Sequence, residues 1–536
     1  MSEQCVDQIC FDFFPRLPIV VEAKDVQVSS DAGILPLRQF DGQIGLTERF
    51  IDCLKDCRRP EQVEHTFSEM VRQRIFGILA GYEDCNDHDT LRSDPVFKIV
   101  ADRNPEDKED DLASQPTLSR FENAIDIPAL WRLHDFFIDE FIRSFPEPPT
   151  RITLDLDATD DPCHGQQQLV LFHGFYEQYQ YLPLIISCDE TQQILWAALR
   201  PGTVHAASGA DDDLEHIVHR LRQAWPDVEI HVRGDSGFAM PWMFAACERL
   251  QLTYTFGIAA NAVLKRATKG LLQRAIEQFE ETGEPARLFD QMLYRAKKWK
   301  NARRVIAKAE CNHVGTNRRF IVTNRAGAAV LPEVCYDDYT QRGESENRHK
   351  ELKEGFAGDR LSCHRFMANY FRLQLHVAGL NLLIRLRPHI ADPPALRAWD
   401  ECDPDHERVP VKDPTLPAEA LANEERRRYQ NYRRRKDPLG RGQIETWRTM
   451  LIKVAGEVTQ SARRILVTIP AHWPHLNWFR HVCQCIAAMY GSAQVPTWPR
   501  QNPASQWGEG GLARPPQGRS APLALAAPSG DHQTEK

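Results

Sequence analysis

The sequence predicts a mixed α/β core held between two mainly helical regions. Short strand-like runs fall at 152–157, 169–175, 181–188 and 194–199. An amphipathic helix follows, with Leu214, Ile217, Val218, Leu221 and Trp225 on one stripe. A further strand at 228–232 runs directly into Arg233, Gly234, Asp235, Ser236 and Gly237. Four such runs, a helix and a fifth strand are the ingredients of a sheet with mixed strand directions.

Taken in order, residues 1–150 read mainly as helix, and Val63, Phe67, Met70, Val71, Ile75, Ile78 and Leu79 share one face up to Gly81. Gln115 to Arg120 starts a short helix with Ser, Thr and Arg near its N-terminus, a composition suited to phosphate or base contacts, so this region is expected to bind DNA. The first part of the core spans 151–261 and includes a strand at 252–256. Residues 262–330 break the α/β rhythm with β-rich runs at 287–294, 304–309 and 320–323, which reads as an inserted subdomain. The core resumes over 331–390 with a polar helix at 339–356 and an apolar one at 366–386. A Pro- and Asp-rich linker at 391–417, a basic helical region at 418–490 and a Pro/Gly/Ala/Ser-rich tail at 491–536, expected to be disordered, complete the chain.

Composition narrows the function. A net charge of −9 argues against nonspecific coating of nucleic acid, yet 291–308 holds seven Lys/Arg and no acid, and 424–436 holds seven against two. Such local surfaces can bind DNA within an acidic chain. The most apolar stretch, 366–386, is interrupted by Arg372, Gln374, His376, Asn381 and Arg385, which suits a packed helix and not a bilayer span. With no signal-peptide pattern at 1–11, a cytoplasmic location and no membrane partner are expected. The 14 cysteines are scattered without a Cys-x-x-Cys pair, so reduced thiols are expected.

The chemistry-bearing residues are acids and cations. Asp155 and Asp157 share one face at the end of the first strand, with Asp160 and Asp161 just beyond, and acids at a strand terminus suit a cation. Asp235 ends the strand that begins at 228 on a glycine-flanked turn that exposes its carboxylate. On a helix, Tyr339, Arg342, Glu346 and Lys353 fall within an arc of roughly 60° at about 100° per residue. That face sets a carboxylate that could hold metal between an Arg fork and a Lys point charge that could meet phosphate oxygens. In-line displacement at phosphorus needs an activated oxygen nucleophile and a stabilised leaving oxygen. Two hard cations clamped by carboxylates from distant chain segments supply both.

At these residues the sequence resembles the DDE-class insertion-sequence transposases, the bacterial cut-and-paste type with a β-strand insertion. Tyr339, Arg342, Glu346 and Lys353 match its Y-(2)-R-(3)-E-(6)-K signature, while 155–167 and 233–238 look like its first and second acidic motifs. The resemblance covers about residues 30–485. It implies an RNase H-like (retroviral integrase-like) catalytic core, with Asp157, Asp235 and Glu346 as catalytic acids and metal ligands for two Mg²⁺ or Mn²⁺ ions. Asp157 fits the first acid through its spacing to Thr159, with Asp155 the alternative; Glu344 is a decoy on another face of the helix. The implied partners are double-stranded DNA, as terminal inverted repeats and target, and a second copy in a homodimer. Tyr339, Arg342, Lys353, Arg295, Lys298, Trp299, Arg303 and Arg304 are the candidate DNA contacts, with Trp299 able to stack on a flipped base or to pack in the core. A nuclease on the same fold would leave the β insertion and basic C-terminal helices without a purpose. A noncatalytic descendant would be expected to have lost an acid.

Overall fold

In β1 (Arg151–Ala158) the alternation of residue types divides the sheet into two faces: Ile152, Leu154 and Leu156 point one way, and Thr153, Asp155 and Asp157 the other. The computed structural model describes residues 8–11, 17, 19–24, 26–107, 109–326, 330–390, 439 and 442–489. The strands that join β1 are β2 (Leu184–Cys188), β3 (Ile194–Ala198), β4 (Glu229–Gly234), β5 (Thr253–Ile258), β6 (Ala286–Tyr294), β7 (Arg303–Asn312) and β8 (Gly315–Thr323). They form one eight-stranded sheet in the order β6-β7-β8-β5-β4-β1-β2-β3. β1, β4 and β5 run parallel, and the remaining neighbours pair antiparallel.

The β-rich segment read as an inserted subdomain contributes its strands to this sheet. Two helices, Ala262–Ala267 and Lys269–Thr282, precede its strands, and β8 then pairs with β5, so the segment lengthens the sheet from its β5 side. Pairing satisfies a strand edge that would otherwise lie open. Leu264, Leu271, Val305 and Ala307 share one core with Leu154, Val232 and Phe256 on the apolar face.

The opposite face is polar along its centre. Asp155, Arg233, Thr255 and Thr323 are all buried and stand in one row across β1, β4, β5 and β8. The helix Pro332–Thr340 covers the β7–β8 end of this face, packing Cys335 and Tyr336 on Ile306 and Ile321.

The Phe366–Leu386 helix is buried nearly all round, as its apolar composition predicts. Its polar groups find partners: Arg372 pairs with Glu122, Gln374 donates to the Ala197 carbonyl and Asn381 bonds Ile194 of β3. Among the described residues no helix is long and apolar enough to cross a membrane.

The C-terminal region departs from the all-helical expectation. Strands Gly456–Ser461 and Arg464–Thr468 form a hairpin that pairs with Val28–Ser29, because Val458, Ile465 and Val467 follow a period of two and not of 3.6. The basic run at 424–436, the linker at 391–417 and the tail from 491 lie outside the described residues.

Candidate active site

The polar face opens where β1 and β4 end. Arg233 lies beside Asp155 in the strand register and Gly234 beside Leu156, so Asp235 and Asp157 leave neighbouring parallel strands side by side. Strands in a sheet lie about 4.8 Å apart. Two carboxylates on neighbouring strands repel each other, and the Asp157 charge raises the Asp235 pKa.

Asp155 and Asp157 share a face but not an environment. Asp155 is fully buried and accepts two hydrogen bonds of 2.7 Å from Arg233, through Nε and Nη2. Arg233 also pairs with Asp189 at 2.9 Å and donates to the Asp338 carbonyl at 2.7 Å, tying the Pro332–Thr340 helix to the sheet. Asp157 stands nearer solvent, its side chain 19% exposed. His349 Nδ1 lies 2.8 Å from its Oδ2, and Arg342 Nη1 lies 3.9 Å from the same oxygen. Burial would raise the Asp157 pKa, but the His349 hydrogen bond and the charges of His349 and Arg342 outweigh it and hold the carboxyl below its ordinary range.

Asp235 caps the short turn Ser236–Phe238, its Oδ1 accepting the Gly237 N–H at 2.8 Å. Burial pushes its pKa up and the neighbouring Asp157 charge adds to the rise, against the pull of the Gly237 hydrogen bond and Arg342. One acid of the pair is thus biased towards ionisation and the other towards the proton, the pattern of a site short of positive charge.

Tyr339 and Arg342 close the site from the helical side. Tyr339 is hydrogen-bonded to Arg342, and its hydroxyl lies so close to Gly257 that a Cβ there would come within 2.6 Å of it. Glycine at 257 is therefore what lets the tyrosine lie beside the Asp235 turn. Arg342 Nη2 donates to Glu346 at 2.6 Å, and the Glu346 side chain is 59% exposed. Arg342 thus stands between the Glu346 and Asp157 carboxylates.

Lys353 goes elsewhere. It donates to the Asp160 carbonyl at 2.6 Å and to Asp160 Oδ1 at 3.2 Å. The single helix expected over 339–356 is three pieces: Pro332–Thr340, Gly343–Lys350 and a π-helical turn at Glu351–Gly355. Glu351 anchors that turn by accepting from Arg387 and from the Ile444 N–H at 2.9 Å. Lys353 stands in that π-helical turn, beyond the α-helical piece that carries Glu346.

Among the described residues no three His, Cys, Asp or Glu side chains converge tightly enough to hold a metal ion. The donor set nonetheless suits a hard cation: two adjacent carboxylates in mutual repulsion, with a third held off by an arginine.

The first basic run divides. Arg295 and Lys298 are exposed, whereas Trp299 is 7% exposed and packs edge-on against Phe244 and Tyr294. Trp299 takes the packed alternative, with no face open to a base. Arg303 pairs with Glu248 at 2.7 Å over the Phe244 ring, and Arg304 donates to Gln291 and to the carbonyls of Arg325 and Val330. Both guanidinium groups are engaged within the protein. His349 and Gly257 were absent from the candidate residues. His349 stands three residues after Glu346, a helical spacing that could have flagged it, but nothing in the sequence marks Gly257.

Residues 13–401 match the family described as Transposase DDE domain group 1. The chain belongs to this family. No curated protein matches the transposase significantly. Among solved structures it is similar to a piggyBac transposase synaptic complex with hairpin DNA, at 14% identity and a TM-score of 0.34, over 74% of this chain and 84% of that one.

Proposed function

We propose that this transposase binds the terminal inverted repeats of an insertion sequence as a homodimer and cuts and rejoins DNA there. In this reading its sheet is an RNase H-like core, and Asp157, Asp235 and Glu346 are the catalytic acids. The observation that carries the reading is the side-by-side exit of Asp157 and Asp235 from parallel strands, faced by Arg342 and Glu346 from a distant segment.

Asp157 and Asp235 would hold Mg²⁺ or Mn²⁺ through their oxygens, and Glu346 would complete the set after leaving Arg342. Bound there, such ions would supply activation of the attacking oxygen and stabilisation of the leaving one. Arg342, freed from Glu346, meets phosphate oxygens as a planar fork beside the scissile bond. Tyr339 keeps that guanidinium oriented, and Gly257 keeps Tyr339 in place. Lys353 fixes the backbone at Asp160, and with it the end of the segment that carries Asp157. Exposed Arg295 and Lys298 meet phosphates farther along the repeat.

The test is single-turnover cleavage of labelled terminal-repeat DNA by Asp157→Ala, Asp235→Ala and Glu346→Ala beside wild type. Loss of cutting with binding retained is the expected result. Cutting within tenfold of wild type by the Asp235 or Glu346 variant would refute the mechanism.

A further inference from the structure

A second feature lies against the same acids. Residues Leu171–His173 and Gln178–Tyr181 form a hairpin whose turn spans 174–177. Phe172, Phe175, Tyr176 and Tyr179 are 50%, 82%, 36% and 61% exposed. Among the described residues no Phe or Tyr outside this hairpin is as exposed as these. Four aromatic rings held in water on one short element mark a surface that meets something.

The base of the hairpin is packed against the core, and its aromatic rings project from the turn side. Tyr181 donates to the Gln168 carbonyl at 2.8 Å, and a Cβ on Gly202 would come within 1.9 Å of the Gln180 carbonyl oxygen, so the loop after β3 packs flush against the strand. Phe172 and Tyr179 meet edge-on at 5.5 Å across the strands, and Phe175 meets Tyr176 at 5.1 Å. The second strand is tied to the acid site where it leaves the turn. Gln178 donates to Asp160 Oδ2 at 3.0 Å, and Asp160 is the residue that holds Lys353. Burial, and then the charges of Asp160, Asp235 and Asp157, push the Tyr176 phenol up from its ordinary value, so its ring lies within electrostatic reach of both acids.

We propose that this hairpin is a nucleobase-stacking element, in which Phe172, Phe175 and Tyr179 pack against unpaired bases beside the phosphate that lies at the Asp157–Asp235 site. The proposal rests on the DNA-cutting reading of that site. Its occupant is chosen by continuity: the polymer that brings a phosphate to the acids must place its neighbouring bases next to Tyr176, and an exposed ring accepts any base through its π-face. Glu177 at the tip would resist the sugar-phosphate backbone there, which leaves the bases as the groups the tip can meet.

The test uses the full chain and three repeat-end duplexes: fully paired, mismatched at the two base pairs flanking the cleavage point, and abasic at those same positions. Binding is measured in Ca²⁺ for wild type, Phe175→Ala and Phe175→Trp. Phe175→Ala is expected to weaken binding of the mismatched duplex by roughly 5- to 150-fold, the range for losing one base–aromatic stack. Phe175→Trp should restore that affinity, and wild type and Phe175→Ala should bind the abasic duplex equally. Equal binding of the mismatched duplex by both proteins would overturn the proposal, as would an equal loss on the abasic duplex. A loss that follows dissociation of a DNA-free dimer in sedimentation would assign the aromatic face to a second copy instead. Should wild type neither bind nor cut the paired duplex in Mg²⁺, the underlying reading falls and the hairpin assignment with it, an outcome distinct from cleavage with an indifferent hairpin.

Discussion

Replacing the two first-strand aspartates one at a time should separate folding from chemistry. Asp155→Ala leaves Arg233 fully buried without its bidentate partner, a class of change that costs about 3–5 kcal/mol. Asp189, 2.9 Å from Arg233 and 26% exposed, compensates in part, so a loss of about 3 kcal/mol is expected. With the main compact unit spanning residues 1–491, that lowers Tm by about 3 °C. Asp157→Ala removes a carboxylate that is already 19% exposed and relieves its repulsion of Asp235, so metal-free stability should change by no more than about 1 kcal/mol. Cleavage should follow the opposite order: abolished in Asp157→Ala, and retained in Asp155→Ala when assayed well below its own Tm. The assays are thermal unfolding by tryptophan fluorescence and single-turnover cleavage on the same preparations. A folded, inactive Asp155→Ala beside an active Asp157→Ala would refute the reasoning.

Three further outcomes follow from the same geometry. His349→Ala deprives Asp157 of the hydrogen bond that helps hold its pKa down, so the acidic limb of the cleavage–pH profile should move to higher pH; superimposable profiles would leave His349 a packing residue. The folded-state pKa of Asp235 is raised above 3.8, so its ionised form costs stability that the protonated form does not, a cost absent at low pH and complete above the raised value. Asp235→Asn should therefore stabilise the metal-free protein at neutral pH, with the gain vanishing on acidification; a pH-independent difference would contradict this. Converting Arg295 and Lys298 to Glu should flatten the salt dependence of DNA binding by about 0.9 in slope for each phosphate no longer neutralised, whereas Arg303→Glu should instead destabilise the fold through its Glu248 pair. Unchanged salt slopes in the first pair would place the DNA path elsewhere.

Much of the core was legible because its signals are local. Alternation in β1 and the Gly-flanked turn after β4 fix where Asp157 and Asp235 emerge, and both follow from period-two geometry and from glycine's freedom to turn. What the sequence hid depends on contacts between distant segments. Asp155 and Asp157 are indistinguishable until Arg233, from another strand, takes one of them. Lys353 belongs to the Glu346 stripe only if the helix keeps its α-pitch, and the buried Glu351 interrupts it with a π-helical turn. Trp299 and Arg303 sit in a basic run that reads as a DNA surface, yet Phe244 and Glu248 draw both inward. The inserted strands were visible as strands, but nothing local foretold that they would extend the main sheet. Only the first arm of the hairpin at 171–181 is visible in the sequence, within the run at 169–175, and exposure of its rings is a property of the assembled fold.

The central claim is that Asp235 is a metal ligand at a phosphodiester-cutting site, and metal-specificity rescue tests it most directly. A thiolate is a soft ligand that serves Mg²⁺ poorly and Mn²⁺ better. In single-turnover cleavage of terminal-repeat DNA, Asp235→Cys should be inactive in Mg²⁺ and regain measurable cutting in Mn²⁺, while wild type cuts in both and in neither when EDTA is present. Cutting by Asp235→Cys in Mg²⁺ at the wild-type rate, or by wild type in EDTA, would contradict the account.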